Sequence, residues 1–576
     1  MAIARKPDLT IKLVRHWSAR TDPVVVAAAG IGIILAFLAL YPTAMLFYGS
    51  VSDAPLGVPG HLTLAHYRAA YGDPNTYRMI GNSFVFAAGA AAISLVVAGL
   101  LAWITVRTDA PGRALFELVA VVPNVLPPLL TATAWVLLLS PRIGLINVVA
   151  RRVGLPPFNV YSMPGMIFVE GLILAPLAYL IISAALRSMD PSLEEAARIA
   201  GSHPLQAARR VTTPMIRPAL LAAGLLNFVR ALESFDTPSI IAIPARIEVF
   251  TTKVAREALT AYPPNHNLAA TYAMSLLGIA MVLVYVYRRL TARTERFVTI
   301  SGRGYRPHAI ELGPWQYVAS AGAILLLALI VLLPFCVLLL TSLLPFYSVP
   351  TWETVRQLTL KHYAFLLTSD RVARALRIST MLAVAGATLG MLLASAVAYL
   401  TVRTRVAGRG ALELLTFIPW AFPGTALAIG LLWGYVRLPV PIYATVWILL
   451  IAYVTRFLPY GLRAMTSTMV QVHTDLEEVS RVCGAGLLHT FRRVLFPLLR
   501  PGFMAGWTIL ATIFMREFST SLFLYTPRSE PVGPLLYHLW IDGLHGRMAA
   551  LGVVVSLVSV VLVAGARRAS RTQLAD

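Results

Sequence analysis

Leu193–Pro218, LEEAARIAGSHPLQAARRVTTPMIRP, recurs without a gap as Leu476–Pro501, LEEVSRVCGAGLLHTFRRVLFPLLRP. Glu194 and Glu195 match Glu477 and Glu478, Gly201 matches Gly484, and Pro214 matches Pro497. Arg198, Arg209, Arg210 and Arg217 match Arg481, Arg492, Arg493 and Arg500. Ser192 and Asp475 each lie three residues before the second glutamate, the spacing of a capping box. Each copy therefore predicts a capped short helix, a break at Gly201 or Gly484, and a second basic helix ending at Pro214 or Pro497. These polar stretches sit between strongly apolar ones.

Working outward, the chain of 576 residues is 58% hydrophobic and only 13% charged. A soluble domain carries about a quarter charged residues. Many apolar runs exceed the roughly 20 residues that cross a bilayer. The first half has runs near Val24–Tyr48, Ile80–Val106, Ala114–Leu139, Met163–Leu186, Ile216–Ile243 and Ala269–Tyr287. The second has Trp315–Tyr347, Ile378–Val402, Leu412–Tyr435, Ile442–Leu462, Gly502–Tyr525 and Met548–Ala566. The expectation is an all-α polytopic membrane protein of about 12 transmembrane helices, six per half. The first half spans 1–300 with its loop near 190–218, and the second 301–576 with its loop near 473–501. The first run has no small-residue cleavage site after a short apolar core and is read as a retained helix.

The duplication extends beyond the loops. Thr105, Arg107, Gly112, Arg113, Glu117, Pro123 and Pro127 match Thr401, Arg403, Gly408, Arg409, Glu413, Pro419 and Pro423. The register here differs by 13 residues from that of the loops, so the first half has a longer connection around Ser140–Val160. An even number of helices per half makes the duplication parallel.

The net charge of +22 comes from arginines in short loops, without aromatic interleaving, and does not point to nucleic acid. The loops predicted on the N-terminal side hold most of the bases and the opposite loops roughly half as many, which puts both termini and both repeated loops in the cytoplasm. Cys336 and Cys483 imply no disulfide framework. A phosphate-cradling loop needs Gly-Lys followed by Ser or Thr. None of the lysines, Lys6, Lys12, Lys253 and Lys361, follows a glycine. No metal-ligand spacing or nucleophile triad is visible, so the chain reads as a non-enzyme that binds no cofactor or metal.

E-x-A-x-x-x-G with a downstream proline resembles the EAA loop of binding-protein-dependent ABC transporter permeases. Glu195, Ala197, Gly201 and Pro214 fit it in the first copy; Glu478, Gly484 and Pro497 fit in the second, where Ser480 replaces the alanine. The resemblance implies a type I importer permease in a bacterial inner membrane. It further implies that Glu194, Glu195, Ala197, Gly201, Pro214, Glu477, Glu478, Ser480, Gly484 and Pro497 dock two separate ABC ATPase subunits, which use the ATP. A periplasmic or surface solute-binding protein would deliver solute to the other side. Long outer segments at Val51–Tyr77, Pro244–Pro264 and Pro345–Ser369 could meet it. Fusion of both halves most resembles the iron(III) branch; thiamine, phosphonate and polyamine permeases share the loops. A twelve-helix ion-coupled secondary transporter is the alternative class, but it does not need paired cytosolic loops.

Charged groups at membrane depth are costly and often functional. Asn227, Arg230, Glu233 and Asp236 follow the first loop, Arg516 and Glu517 follow the second, and Glu170 and Arg456 precede them. Glu170, Arg230, Glu233, Asp236, Arg516 and Glu517 either line a translocation path or form internal ion pairs, such as Arg230 with Glu233. Prolines 123, 127, 419 and 423 either bend helices at a gate or merely kink them.

Overall fold

A computed structural model describes residues 23–121, 126–190, 192–202, 204–294, 310–348 and 352–571. Pro123 and the linker arginines 296, 303 and 306 lie outside the described residues. The first half contains α1 (Pro23–Val51), α2 (Pro74–Arg107), α3 (Arg113–Val121), α4 (Pro128–Leu139), α5 (Leu145–Arg152) and α6 (Met163–Ser188). The loop helix α7 (Ser192–Ile199) follows, then α8 (Thr213–Glu233), α9 (Asp236–Ile241) and α10 (His266–Thr294). The second half opens with α11 (Trp315–Leu327) and α12 (Leu333–Leu343), which form one continuous helix through a π-turn at Ala328–Leu332. It continues with α13 (Asp370–Arg403), α14 (Arg409–Phe417), α15 (Gly424–Tyr435), α16 (Val446–Gln471) and loop helix α17 (Asp475–Val482). The last elements are α18 (Phe496–Met515), α19 (Ser521–Leu524), α20 (Val532–Ile541) and α21 (His545–Arg571).

Among the described residues, 10 helices are long and apolar enough to cross a membrane, or up to 11 if one bent pair counts as a span. The third apolar run of each half accounts for the difference from about 12: it is not one helix but a short pair, α3–α4 and α14–α15. In the second half the pair turns through 106°. Pro127 and Pro423 stand just before the second member of each pair, in extended backbone that a helix interior does not permit. These prolines are breaks rather than kinks.

The fifth run of each half is also broken. The first ends at Glu233, with α9 beginning at Asp236; the second ends at Met515, with α19 beginning at Ser521. At its other end this helix is longer than expected. Pro214 and Pro497 do not terminate the basic segment, because helix runs on from Pro204 and from Leu487. A π-turn ends two residues before each proline, at Ala208–Thr212 and Phe491–Leu495. Wider π-type bonding leaves room for a residue that has no N–H to give. The longer first-half connection is present between α4 and α6, where it carries α5; its counterpart between α15 and α16 is short.

The halves clasp each other. α1 packs on α14 and α15 of the second half, and α12 packs on α4 of the first. Gly430 and Gly434 of α15 let α1 approach closely. A Cβ on Gly430 would lie 2.4 Å from the Pro42 carbonyl oxygen, and one on Gly434 2.7 Å from the Tyr41 ring. Tyr41 Oη donates to the Gly434 carbonyl at 2.9 Å. Within each half, α2 packs on α6 and α8, and α13 on α16 and α18.

Candidate functional site: paired loops and a charged chamber

The two loops fold alike. Ser192 and Asp475 are the first residues of α7 and α17, one position inside the expected boundary. In the first copy it is the Asp190 carboxylate that accepts from the Ser192 N–H, at 2.9 Å. Each helix then ends at a glycine with left-handed backbone, Gly201 at φ +87° and Gly484 at φ +83°. Ser202 N–H donates to the Ala197 carbonyl (3.0 Å) and Ala485 N–H to the Ser480 carbonyl (3.1 Å), the bond of a Schellman end. Nothing crowds either glycine, so conformation rather than space requires it.

Glu194 and Glu477 face inward and are buried, whereas Glu478, Pro214 and Pro497 are exposed and Ala197 and Ser480 half-buried. The Glu195 side chain lies outside the described set. The loop helices expose apolar residues at equivalent positions: Ile199 is 89% exposed and Val482 is 88% exposed. In the second copy Leu476 and Val479 add to this face. A capped amphipathic turn with its apolar side uncovered has the form of an element made to enter a cleft.

At the far ends of α8 and α18, a cavity of about 160 Å³ lies between the halves. All six of the predicted path residues, Glu170, Arg230, Glu233, Asp236, Arg516 and Glu517, line it, and so does Arg456. Four carboxylates and three guanidinium groups thus converge from α6, α8, α9, α16 and the segment after α18. Asn227 does not join them; it is buried between helices, with Nδ2 donating to Ser94 Oγ at 2.8 Å and the Leu174 carbonyl at 3.2 Å. Phe235 and Phe518, one from each half, stack in the chamber wall with ring centroids 5.5 Å apart.

The two sequence alternatives, lining and ion pairing, divide among the carboxylates. Glu517 is paired: Arg456 Nη1 lies 3.1 Å from its Oε1, and the Thr520 and Ser521 N–H groups donate to it at 2.8 and 3.0 Å. Ser521 Oγ adds a bond of 2.6 Å. Glu233 is buried at 5% exposure, and its Oε1 has no hydrogen-bond partner among the described residues. The expected Arg230–Glu233 pair does not form; Arg230 Nη2 donates instead to Tyr460 Oη of the other half at 3.0 Å. Arg516 Nη1 donates to the Leu126 carbonyl at 2.8 Å rather than to an acid. Among the described residues, no three of His, Cys, Asp or Glu converge as metal ligands. The chamber thus gathers charged side chains of both signs, with Glu233 Oε1 unpaired among the described residues.

Sequence reading missed two features. One is the stacked Phe235–Phe518 pair, whose only signal is the matching offset of two phenylalanines from the repeated loops. The other is the buried setting of Arg107 and Arg403, counted in the sequence only as matched positive charges.

Residues 94–296 and 386–571 match the family described as "Binding-protein-dependent transport system inner membrane component". The chain is similar to the ferric transport system permease protein FbpB of Actinobacillus pleuropneumoniae, 26% identical, covering 94% of this chain and 77% of that protein. It is also similar to the putative ferric transport system permease protein FbpB 1 of Haemophilus influenzae, 26% identical over 85% of this chain and 75% of that one. Among solved structures, a chain of a bacterial ABC transporter involved in the import of the acidic polysaccharide alginate is 19% identical, with a TM-score of 0.40, covering 50% of this chain and all of that one.

Proposed function

The chain belongs to the family of binding-protein-dependent transport system inner membrane components, and from that premise we propose how this ABC importer permease works. Its two loop helices receive two separate ATPase subunits, which bind and hydrolyse the ATP. A solute-binding protein docks on the opposite face and releases its cargo into the charged chamber. The halves then exchange access between the two faces. On this reading the membrane is a bacterial inner membrane, with both termini and both loops cytoplasmic.

The observation that carries this reading is the pair of uncovered apolar positions, Ile199 and Val482, on helices that end alike at a left-handed glycine. A secondary transporter has no use for two such faces. The cargo we propose is iron(III), supported by the ferric transport relatives and by the chamber carboxylates Glu170, Glu233 and Asp236. These groups offer oxygen contacts without a closed ligand set, which suits an ion that must leave again.

The test is co-purification in mild detergent. The unaltered chain should bring with it a subunit carrying a Gly-Lys-Ser/Thr phosphate loop. Ile199→Asp with Val482→Asp should lower the recovered subunit about tenfold or more, since a carboxylate forced into an apolar cleft costs well over 1.4 kcal/mol. Equal recovery from both chains would refute the docking face.

A further inference from the structure

Arg107 and Arg403 end the two longest described helices, α2 and α13, at the face that carries the loops. Both side chains are buried, at 1% and 6% exposure, beside glutamates at 5% and 8%. Arg107 Nη2 donates to the carbonyls of Leu186 (2.7 Å) and Met189 (3.2 Å), the end of α6. Arg403 Nη2 donates to the equivalent carbonyls of Met469 (3.0 Å) and Val472 (2.5 Å), the end of α16. Each arginine also faces the first glutamate of its loop helix: Arg107 Nε lies 3.8 Å from Glu194, and Arg403 Nε 3.1 Å from Glu477.

One guanidinium therefore joins three elements in each half: a long membrane helix, the end of the helix before the loop, and the loop helix itself. The last carbonyls of a helix have no partners within it, and a charged donor satisfies them. Two matched buried arrangements of this kind are not incidental surface pairing. From Arg107 the path continues along α2 to Ser94, which Asn227 of α8 contacts, and α8 ends at Glu233 in the chamber. In the second half α13 is tied to α18 by Trp507 Nε1 donating to Thr388 Oγ1 at 3.0 Å.

We propose that Arg107 and Arg403 are positioning residues that lock each loop helix to α2 or α13, so that movement imposed on the docking face reaches the chamber. The proposal rests on the ATPase-docking reading given above. The locks are unequal. Glu194 also accepts from Thr212 Oγ1, whereas the second copy has Leu495 at that place. Arg107 is further held by backbone pairing with the start of the second half, Ile310 N–H donating to its carbonyl at 2.8 Å.

The experiment uses the full chain with its co-purified ATPase subunits in liposomes. Cys336 and Cys483 are replaced by serine, and spin labels are placed at Ile173→Cys and Ile513→Cys, which line the chamber from the first and second half respectively. Adding ATP with vanadate should change the label-to-label distance. Arg107→Gln with Arg403→Gln should reduce the fraction of molecules that switch about tenfold, within the range of coupling energies between linked sites, at equal ATPase stoichiometry. Glu194→Gln with Glu477→Gln keeps the arginine–carbonyl bonds and removes only the ion pairs; it should show the same loss if the first pair of variants fails to assemble. A full ATP-driven distance change in either assembled variant overturns the lock. If the unaltered chain recovers no ATPase subunit, the docking reading itself falls, and the lock with it.

Discussion

Glu233 and Glu517 lie almost at matching places in the duplicated chain, yet the structure predicts opposite consequences for removing their charge. Glu517→Gln leaves Arg456 buried, at 11% side-chain exposure, without its acid. Breaking a buried ion pair costs about 3–5 kcal/mol. Arg456 Nη1 keeps its bonds to Ser519 Oγ and Thr520 Oγ1, both 3.0 Å, and the amide oxygen can still accept from one N–H. The expected cost is therefore at the low end, about 3 kcal/mol. Glu233→Gln breaks no ion pair and adds an amide that can bond into the chamber; its cost should be about 1 kcal/mol or less. The assay is the heating midpoint of the detergent-solubilised monodisperse peak in size-exclusion chromatography, with uptake measured in parallel. Glu517→Gln should lower the midpoint by several degrees, whereas Glu233→Gln should leave it nearly unchanged and alter uptake. Equal midpoints for the two variants, or a larger fall for Glu233→Gln, would refute the division into a structural and a lining carboxylate.

Gly430→Leu forces a side chain against the Pro42 carbonyl and should cost about 3 kcal/mol or more by overpacking, read as a collapsed monodisperse peak; a normal peak would mean α1 does not sit on α15. Gly484→Val places a β-branched residue at φ +83°, where it should fray the end of α17 and lower uptake while membrane content is kept; undiminished uptake would count against the loop geometry. Cys483 is exposed on the second repeated loop, so on the proposed orientation an impermeant maleimide should label it in inside-out vesicles and not in intact cells. Labelling in intact cells would reverse the proposed orientation.

The duplicated loops were legible because their determinants are local: a glycine forced left-handed, charges in fixed spacing, and prolines at one offset. Membrane helices were legible wherever apolar composition is continuous. What composition cannot show is a break inside an apolar run. Pro127 and Pro423 carry that signal, but the same residue inside α6 at Pro176 and α16 at Pro459 leaves the helix whole. Tertiary surroundings decide between the outcomes. The six path residues could be named from the expense of burying charge, and they share one chamber. Their partners could not, because Arg456 and Tyr460 reach across from helices distant in sequence. In the first loop the helix starts one residue earlier than its capping spacing suggests, because the Asp190 carboxylate accepts from the N–H of Ser192.

The clasp between halves also sets a timetable for synthesis. α1 emerges from the ribosome first, but its packing surface on α14 and α15 begins only at Arg409. At about 5–20 residues per second, that partner follows roughly 20–70 seconds later. In the most apolar stretch of α1 only 17% of residues are buried even in the finished fold. Its strong hydropathy and its packing on α10 of the same half can hold it in place through the wait, whereas the contact made by Gly430, Gly434 and Tyr41 acts only once the second half arrives. Severing the chain in the 295–309 linker would leave each first helix its own-half partner, α1 on α10 and α12 on α21, but not its place on the other half, so that the two pieces should co-purify when made together.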